Sequence, residues 1–179
     1  IIAVNEQDKD KLFSLIEKWN KIFKKELEGK EEGIKLSISE NNEDIKDKFT
    51  KETTEKTIKL LYLYPSGVNT MSKNIENLTE SSTNLGIVKT TEEYVEFDSA
   101  VRSSIMTLRD DIVRKIKEIT KLIGGEFESN AGYPAWEYKK ESKIRDICQK
   151  VYKDMTGKEP IVYAIHAGVE CGLFEERLG

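Results

Sequence analysis

NLGIVKTTEEYVEFDSAVRSSI, residues 84–105, is the stretch whose reading decides the fold. Two runs, Asn84–Val88 and Tyr94–Ile105, lie on either side of Thr90-Thr91-Glu92-Glu93. Short β-rich runs separated by a few polar residues predict two strands joined as a hairpin. In the second run the period of two places Val95, Phe97, Ser99 and Val101 on one side. Arg102 then faces the other side with Tyr94, Glu96 and Ala100.

Helices are predicted on both flanks of the hairpin. Downstream, Leu108, Ile112, Ile116, Ile119, Leu122 and Ile123 recur at helical spacing, and Gly124-Gly125 ends the run. Glu126–Ser129 reads as a short strand. Upstream, Ile45, Phe49, Ile58, Leu61 and Tyr62 mark a helix whose polar middle allows a break, stopped by Pro65-Ser66-Gly67. Residues 68–78 show no period and read as loop. Further upstream, Leu12, Leu15, Ile16, Trp19, Ile22, Phe23 and Leu27 form one helical face, with Asn5 or Asp8 placed to cap it. Ile1–Val4 and the alternating Ile34, Leu36 and Ile38 read as strands. The order β, α, β, α, β, β, α, β implies an α+β two-layer sandwich with a ferredoxin-like core.

The character changes after Asn130-Ala131-Gly132. Tyr133-Pro134-Ala135-Trp136 is rigid and aromatic. A helix follows with Ile144, Ile147, Cys148, Val151, Tyr152 and Met155 on one face, ended by Gly157-Lys158-Glu159-Pro160. Ile161–Ile165 reads as a strand, and His166-Ala167-Gly168-Val169-Glu170-Cys171-Gly172 as a glycine-bearing loop at its exit. Helix, strand and loop in that order are the grammar of an α/β sheet. Two domains are therefore expected, 1–132 and 133–179.

Composition narrows the function classes. Of 179 residues 35% are charged, and the net charge is −4, which speaks against a nucleic-acid binder. No apolar run approaches the ~20 residues of a membrane span, and no signal peptide is visible. Cys148 and Cys171 read as reduced thiols of a cytoplasmic protein. The single histidine, His166, argues against a self-contained zinc site, which ordinarily draws on more histidines.

Three features invite a functional reading. His166 and Glu170 form His-x-x-x-Glu, a weak metal pattern, and a lone histidine at a strand end is more often structural than catalytic. Gly168 and Gly172 flank Glu170, where glycine either serves an ordinary turn or lets a ligand approach the main chain. Arg102 is suited to a bidentate grip on a carboxylate. Its ordinary alternative is a cross-strand ion pair of small worth. No nucleophile elbow, P-loop, GxGxxG, HExxH or CxxC is present.

Five segments, in order along the chain, resemble one family. Ile165–Phe174 resembles the IHAGLECGLF segment of bacterial aminoacylhistidine (Xaa-His) dipeptidases. Gly132–Trp136 resembles its YPGW, and Val151-Tyr152 with Gly157–Pro160 resembles its VY…GKxP. Thr79–Gly86 resembles VETSLNLG, and Ala100–Ser104 resembles xVRSL. Ala135 stands where the family has glycine, and Thr83 where it has leucine.

The resemblance implies a metallopeptidase of the carnosinase and aminoacylase type. Its zinc-binding α/β catalytic domain is interrupted by an α+β lid that often mediates dimerisation. Two zinc ions are held by His, Asp and Glu, and a separate Glu acts as general base. Arg102 matches the lid arginine that grips the substrate carboxylate, and Gly168 matches a loop glycine that meets substrate through its backbone. The family's His-x-Asp segment and Glu-Glu pair are expected upstream of residue 1, and its Gly-Pro-His segment downstream of residue 179. The chain is thus expected to be an internal piece of such an enzyme, without catalytic or metal-binding residues of its own. It would form part of a cytoplasmic homodimer, with no nucleic-acid or membrane partner. The competing reading is a free-standing ferredoxin-like interaction or regulatory domain that self-associates.

Overall fold

A computed structural model describes residues 2–41, 47–130, 132–167 and 170–178. The chain divides into two compact units, Ile1–Thr50 and Lys51–Gly179. This division lies well upstream of residue 132, so both sides of the expected domain boundary fall in the second unit.

In the first unit a 3-10 turn, Glu6–Asp8, leads into helix α1, Lys9–Glu26. The helix carries the apolar stripe read from the sequence, and the Trp19 and Phe23 rings lie 5.6 Å apart on it. The strand expected at Ile34–Ile38 does not form. Main-chain Leu36 is instead clamped by the Asn20 side chain, whose Oδ1 accepts from Leu36 N and whose Nδ2 donates to Leu36 O, each at 2.7 Å. The carboxamide thus occupies the groups that a neighbouring strand would use. Lys9 also reaches Glu40 at 2.6 Å. Residues 2–4 form no strand, and Ile1 lies outside the described residues.

The second unit opens with helix α2, Lys51–Leu63. Ile45, expected to begin this helix, lies outside the described residues, and Phe49 precedes its first turn. Strands β1 (Gly67–Met71), β2 (Thr79–Thr90) and β3 (Val95–Ser103) follow. They form an antiparallel sheet in the order β1-β2-β3. The hairpin is as read, though β2 begins earlier than expected. Strand β1 corrects the first part of the loop expected at 68–78, and residues 72–78 are loop as read. Its sequence, Gly-Val-Asn-Thr-Met, has no alternating signature, and side-chain hydroxyl and amide bonds tie it to β2. Thr70 Oγ1 and Ser81 Oγ share a hydrogen bond of 2.6 Å, and Asn69 Nδ2 donates to Thr83 Oγ1 at 3.1 Å.

Helix α3, Met106–Leu122, packs with α2 on one face of the sheet. Leu60 and Tyr64 of this layer meet Ile112 and Ile116, which are 4% and 5% exposed. Leu85, Phe97 and Val101 supply the sheet side, and Phe127 packs against the same cluster. The strand expected at Glu126–Ser129 is absent, because Phe127 is used as a core plug without a ladder partner. Tyr64 Oη meets Ser99 Oγ at 2.6 Å, which ties the end of α2 to β3. The fold class is α+β, as read. The described sheet has three strands where a ferredoxin-like unit has four.

Two more helices close the unit. Helix α4, Lys143–Thr156, starts at Ser142, whose hydroxyl accepts from Arg145 N. It ends at Gly157 with φ of 71°, a left-handed turn that glycine takes without Cβ strain. Helix α5, Cys171–Leu178, was not expected from the sequence. The strand expected at Ile161–Ile165 is absent: these residues have no ladder partner, and Tyr163 is 80% exposed. An apolar run becomes a strand only where it pairs with another strand, and this one pairs with none of the described strands.

Candidate functional site

The sheet has a covered face and an open face. Along β3, Val95, Phe97, Ser99 and Val101 point towards the helices, while Glu96, Asp98, Ala100 and Arg102 are exposed on the other side. This is the facing that the period of two predicts. Ser82 of β2 stands directly opposite Arg102. The bulge between Leu85 and Ile87 shifts the register farther along the hairpin and leaves the Ser82–Arg102 end in regular pairing.

Arg102 sits where β3 is about to turn into α3. Ser103 Oγ accepts from Ile105 N at 3.0 Å, and Ser104 N donates to Glu80 O at 3.1 Å. The serines of this motif therefore secure the strand end that carries the guanidinium. Beneath it, the buried Ser81 and Thr83 lock β2 to β1. Thr83, which stands where the family has leucine, is 2% exposed, and its hydroxyl avoids an unsatisfied burial through Asn69. Among the described residues Arg102 makes no ion pair.

The third member arrives from far along the chain. His166 Nε2 lies 2.7 Å from Ser82 Oγ, across 84 positions of sequence. The imidazole is half-buried. Burial first, and then the positive field of Arg102, hold its pKa below the ordinary 6.5, while a main-chain hydrogen bond with Thr79 pulls the other way. The neutral imidazole is thereby favoured. Sequence reasoning treated His166 and Arg102 separately, and no spacing in the sequence could have paired them. Glu170 is exposed. Gly168 lies outside the described residues.

Gly172 has a use that neither of the two readings of its loop named. It is buried in the first turn of α5, where an added Cβ would stand 2.9 Å from the Pro134 carbonyl oxygen. The close approach is to the protein's own Tyr133–Trp136 segment and not to a ligand. Nearby, Met106 Sδ accepts from Ala135 N at 3.2 Å, Arg109 donates to Tyr133 O at 3.3 Å, and Lys139 pairs with Glu175. The aromatic segment is thus fastened to α3 and α5 together.

Cys148 and Cys171 are free and exposed. Among the described residues no three His, Cys, Asp or Glu side chains are grouped to hold a metal ion. A zinc ion of the kind that the resemblance implies does not fit these donors. No described helix is long and apolar enough to cross a membrane.

A hydroxyl-locked antiparallel sheet, with helices on one face and on the other an arginine that makes no ion pair among the described residues, defines an α+β domain. No protein-family model matches the chain. It is 32% identical over 175 residues, 98% of its length, to the cytosol non-specific dipeptidase of Escherichia coli (strain K12). The crystal structure of aminoacylhistidine dipeptidase from Vibrio alginolyticus superposes on 97% of it, with a TM-score of 0.84 at 31% identity. The chain spans 36% of the curated relative and 35% of the crystallised one. It is homologous to a segment of these dipeptidases over nearly its whole length.

Proposed function

We propose that the chain serves as the lid of a dipeptidase acting on Xaa-His dipeptides, together with the chain's return into the catalytic domain. Residues 1–132 act as lid and 133–179 as return segment. Arg102 grips the substrate's terminal carboxylate, and Gly168 meets the substrate through its main chain. The observation that carries this reading is Arg102 itself, exposed on the open face, opposite a serine, with no ion pair among the described residues. An arginine so placed keeps its planar donors for a carboxylate from outside.

The exposed apolar side chains of α4 and of residues 161–165 support the return-segment assignment, Met155 and Tyr163 each being 80% exposed. Such a surface is suited to burial in a larger domain. The two zinc ions of the parent enzyme are held by residues other than these, and the parent acts as a cytoplasmic homodimer. The 179-residue chain alone hydrolyses no Xaa-His dipeptide.

The test uses this chain, 15N-labelled, titrated with unlabelled β-alanyl-histidine and with its C-terminal amide. The acid is expected to shift signals around Arg102, the amide to leave them unmoved, and Arg102→Gln to abolish the response. Equal responses to acid and amide refute the carboxylate grip. Zinc-dependent turnover by the pure chain refutes the division of labour.

A further inference from the structure

The Ser82–His166 contact joins a strand of the sheet to the end of the exposed 161–165 segment, beside Arg102. It is a side-chain bond of 2.7 Å between groups 84 residues apart. The 161–165 segment itself takes part in no ladder. The register puts the tether point and the guanidinium on opposed positions of adjacent strands.

We propose that His166 is a positioning residue: through Ser82 it anchors the chain at residues 165–167 against the open face of the sheet, so that a carboxylate on Arg102 is enclosed between strand β3 and that chain. The proposal rests on the carboxylate reading of Arg102 and adds a second wall to the same site. A neutral imidazole suits this role. It accepts or donates to a hydroxyl without bringing a second full charge next to the guanidinium. Arg102 is the charged side chain whose field reaches the ring, and its direction and that of burial both favour the neutral form.

His166 is the chain's single histidine, so one imidazole spin system reports on it alone. Five forms of the 15N-labelled chain separate the possibilities: wild type, Ser82→Ala, Ser82→Thr, His166→Asn and Arg102→Gln. In the absence of ligand, Ser82→Ala is expected to change the ring 15N shifts and tautomer balance and to increase fast motion of residues 165–167. Ser82→Thr, which keeps the hydroxyl, restores the wild-type pattern. With β-alanyl-histidine added, Ser82→Ala binds about tenfold more weakly, the equivalent of one ordinary hydrogen bond, and Ser82→Thr binds like wild type. His166→Asn, with circular dichroism to show that it folds, is expected to weaken binding to the same degree as Ser82→Ala.

Dipeptide that binds wild type and Ser82→Ala equally overturns the positioning role and leaves the Arg102 reading standing. Dipeptide that fails to bind wild type overturns both. An imidazole that titrates like a free one and ignores Arg102→Gln shows that ring and guanidinium are not neighbours, which also overturns the proposal.

Discussion

Replacing Gly172 by alanine puts a methyl carbon 2.9 Å from the Pro134 carbonyl oxygen and 3.6 Å from both Pro134 Cγ and Trp136 Cβ. The first contact is to main chain, so no rotamer change relieves it. Either the Tyr133–Trp136 segment or the first turn of α5 must move. Overpacking of this kind costs ~1–3 kcal/mol, and the better helix propensity of alanine returns at most ~1 kcal/mol. The balance is a loss of roughly 1–2 kcal/mol, or about 2–8 °C in midpoint for a chain of this size. The loss is local first, because the segment is fastened to α3 and α5 by few bonds, among them Ala135 N to Met106 Sδ and Lys139 to Glu175. The chain has two tryptophans, Trp19 and Trp136. In a Trp19→Phe background, fluorescence reports on Trp136 alone. Gly172→Ala is expected to red-shift that emission at room temperature and to separate its thermal transition from that of far-UV circular dichroism. An unchanged or higher midpoint with unchanged emission refutes the argument that Gly172 is there for this close approach.

Other outcomes follow from the same geometry. Ile116→Ala leaves a cavity between α3 and the sheet where the side chain is 5% exposed, and a loss of ~2–5 kcal/mol by urea denaturation is expected. The folded His166 pKa lies below 6.5, so its contribution to stability is complete above 6.5 and declines as pH falls from there through the folded value. The stability advantage of wild type over His166→Asn should therefore shrink from pH 7.5 to pH 5, and an advantage that grows on acidification counts against the burial and Arg102 explanation. Asn20→Ala removes both bonds to Leu36, and faster hydrogen exchange at Leu36 is expected, with that of the β2–β3 hairpin unchanged.

Much of the fold was legible before any coordinates. Val95, Phe97, Ser99 and Val101 alternate without interruption, and alternation has one physical outcome when helices cover one face of a sheet. The apolar spacing of α1, α3 and α4 was equally plain, since each helix carries its own ladder and needs no partner for its hydrogen bonds. The strands that failed are instructive. Ile34–Ile38 and Ile161–Ile165 have strand composition, yet a strand exists only where another chain segment offers donors and acceptors. In the first case a side chain, Asn20, took that place. In β1 the reverse held, and a segment without periodicity became a strand, with Thr70 and Asn69 bonded to Ser81 and Thr83.

The sequence by itself determined the α+β class, the outward facing of Arg102 and, through five ordered motifs, the kinship with dipeptidases. All of these are properties of local period or of contiguous residues. Only the tertiary structure decided what Arg102 stands beside. Ser82 reaches it through strand register and His166 through a bond spanning 84 residues. The same holds for Gly172, read from the sequence as either an ordinary turn or a place for a ligand to approach, whose missing side chain makes room for Pro134. Contacts between distant segments depend on how elements fold back on one another, and no local pattern encodes that distance.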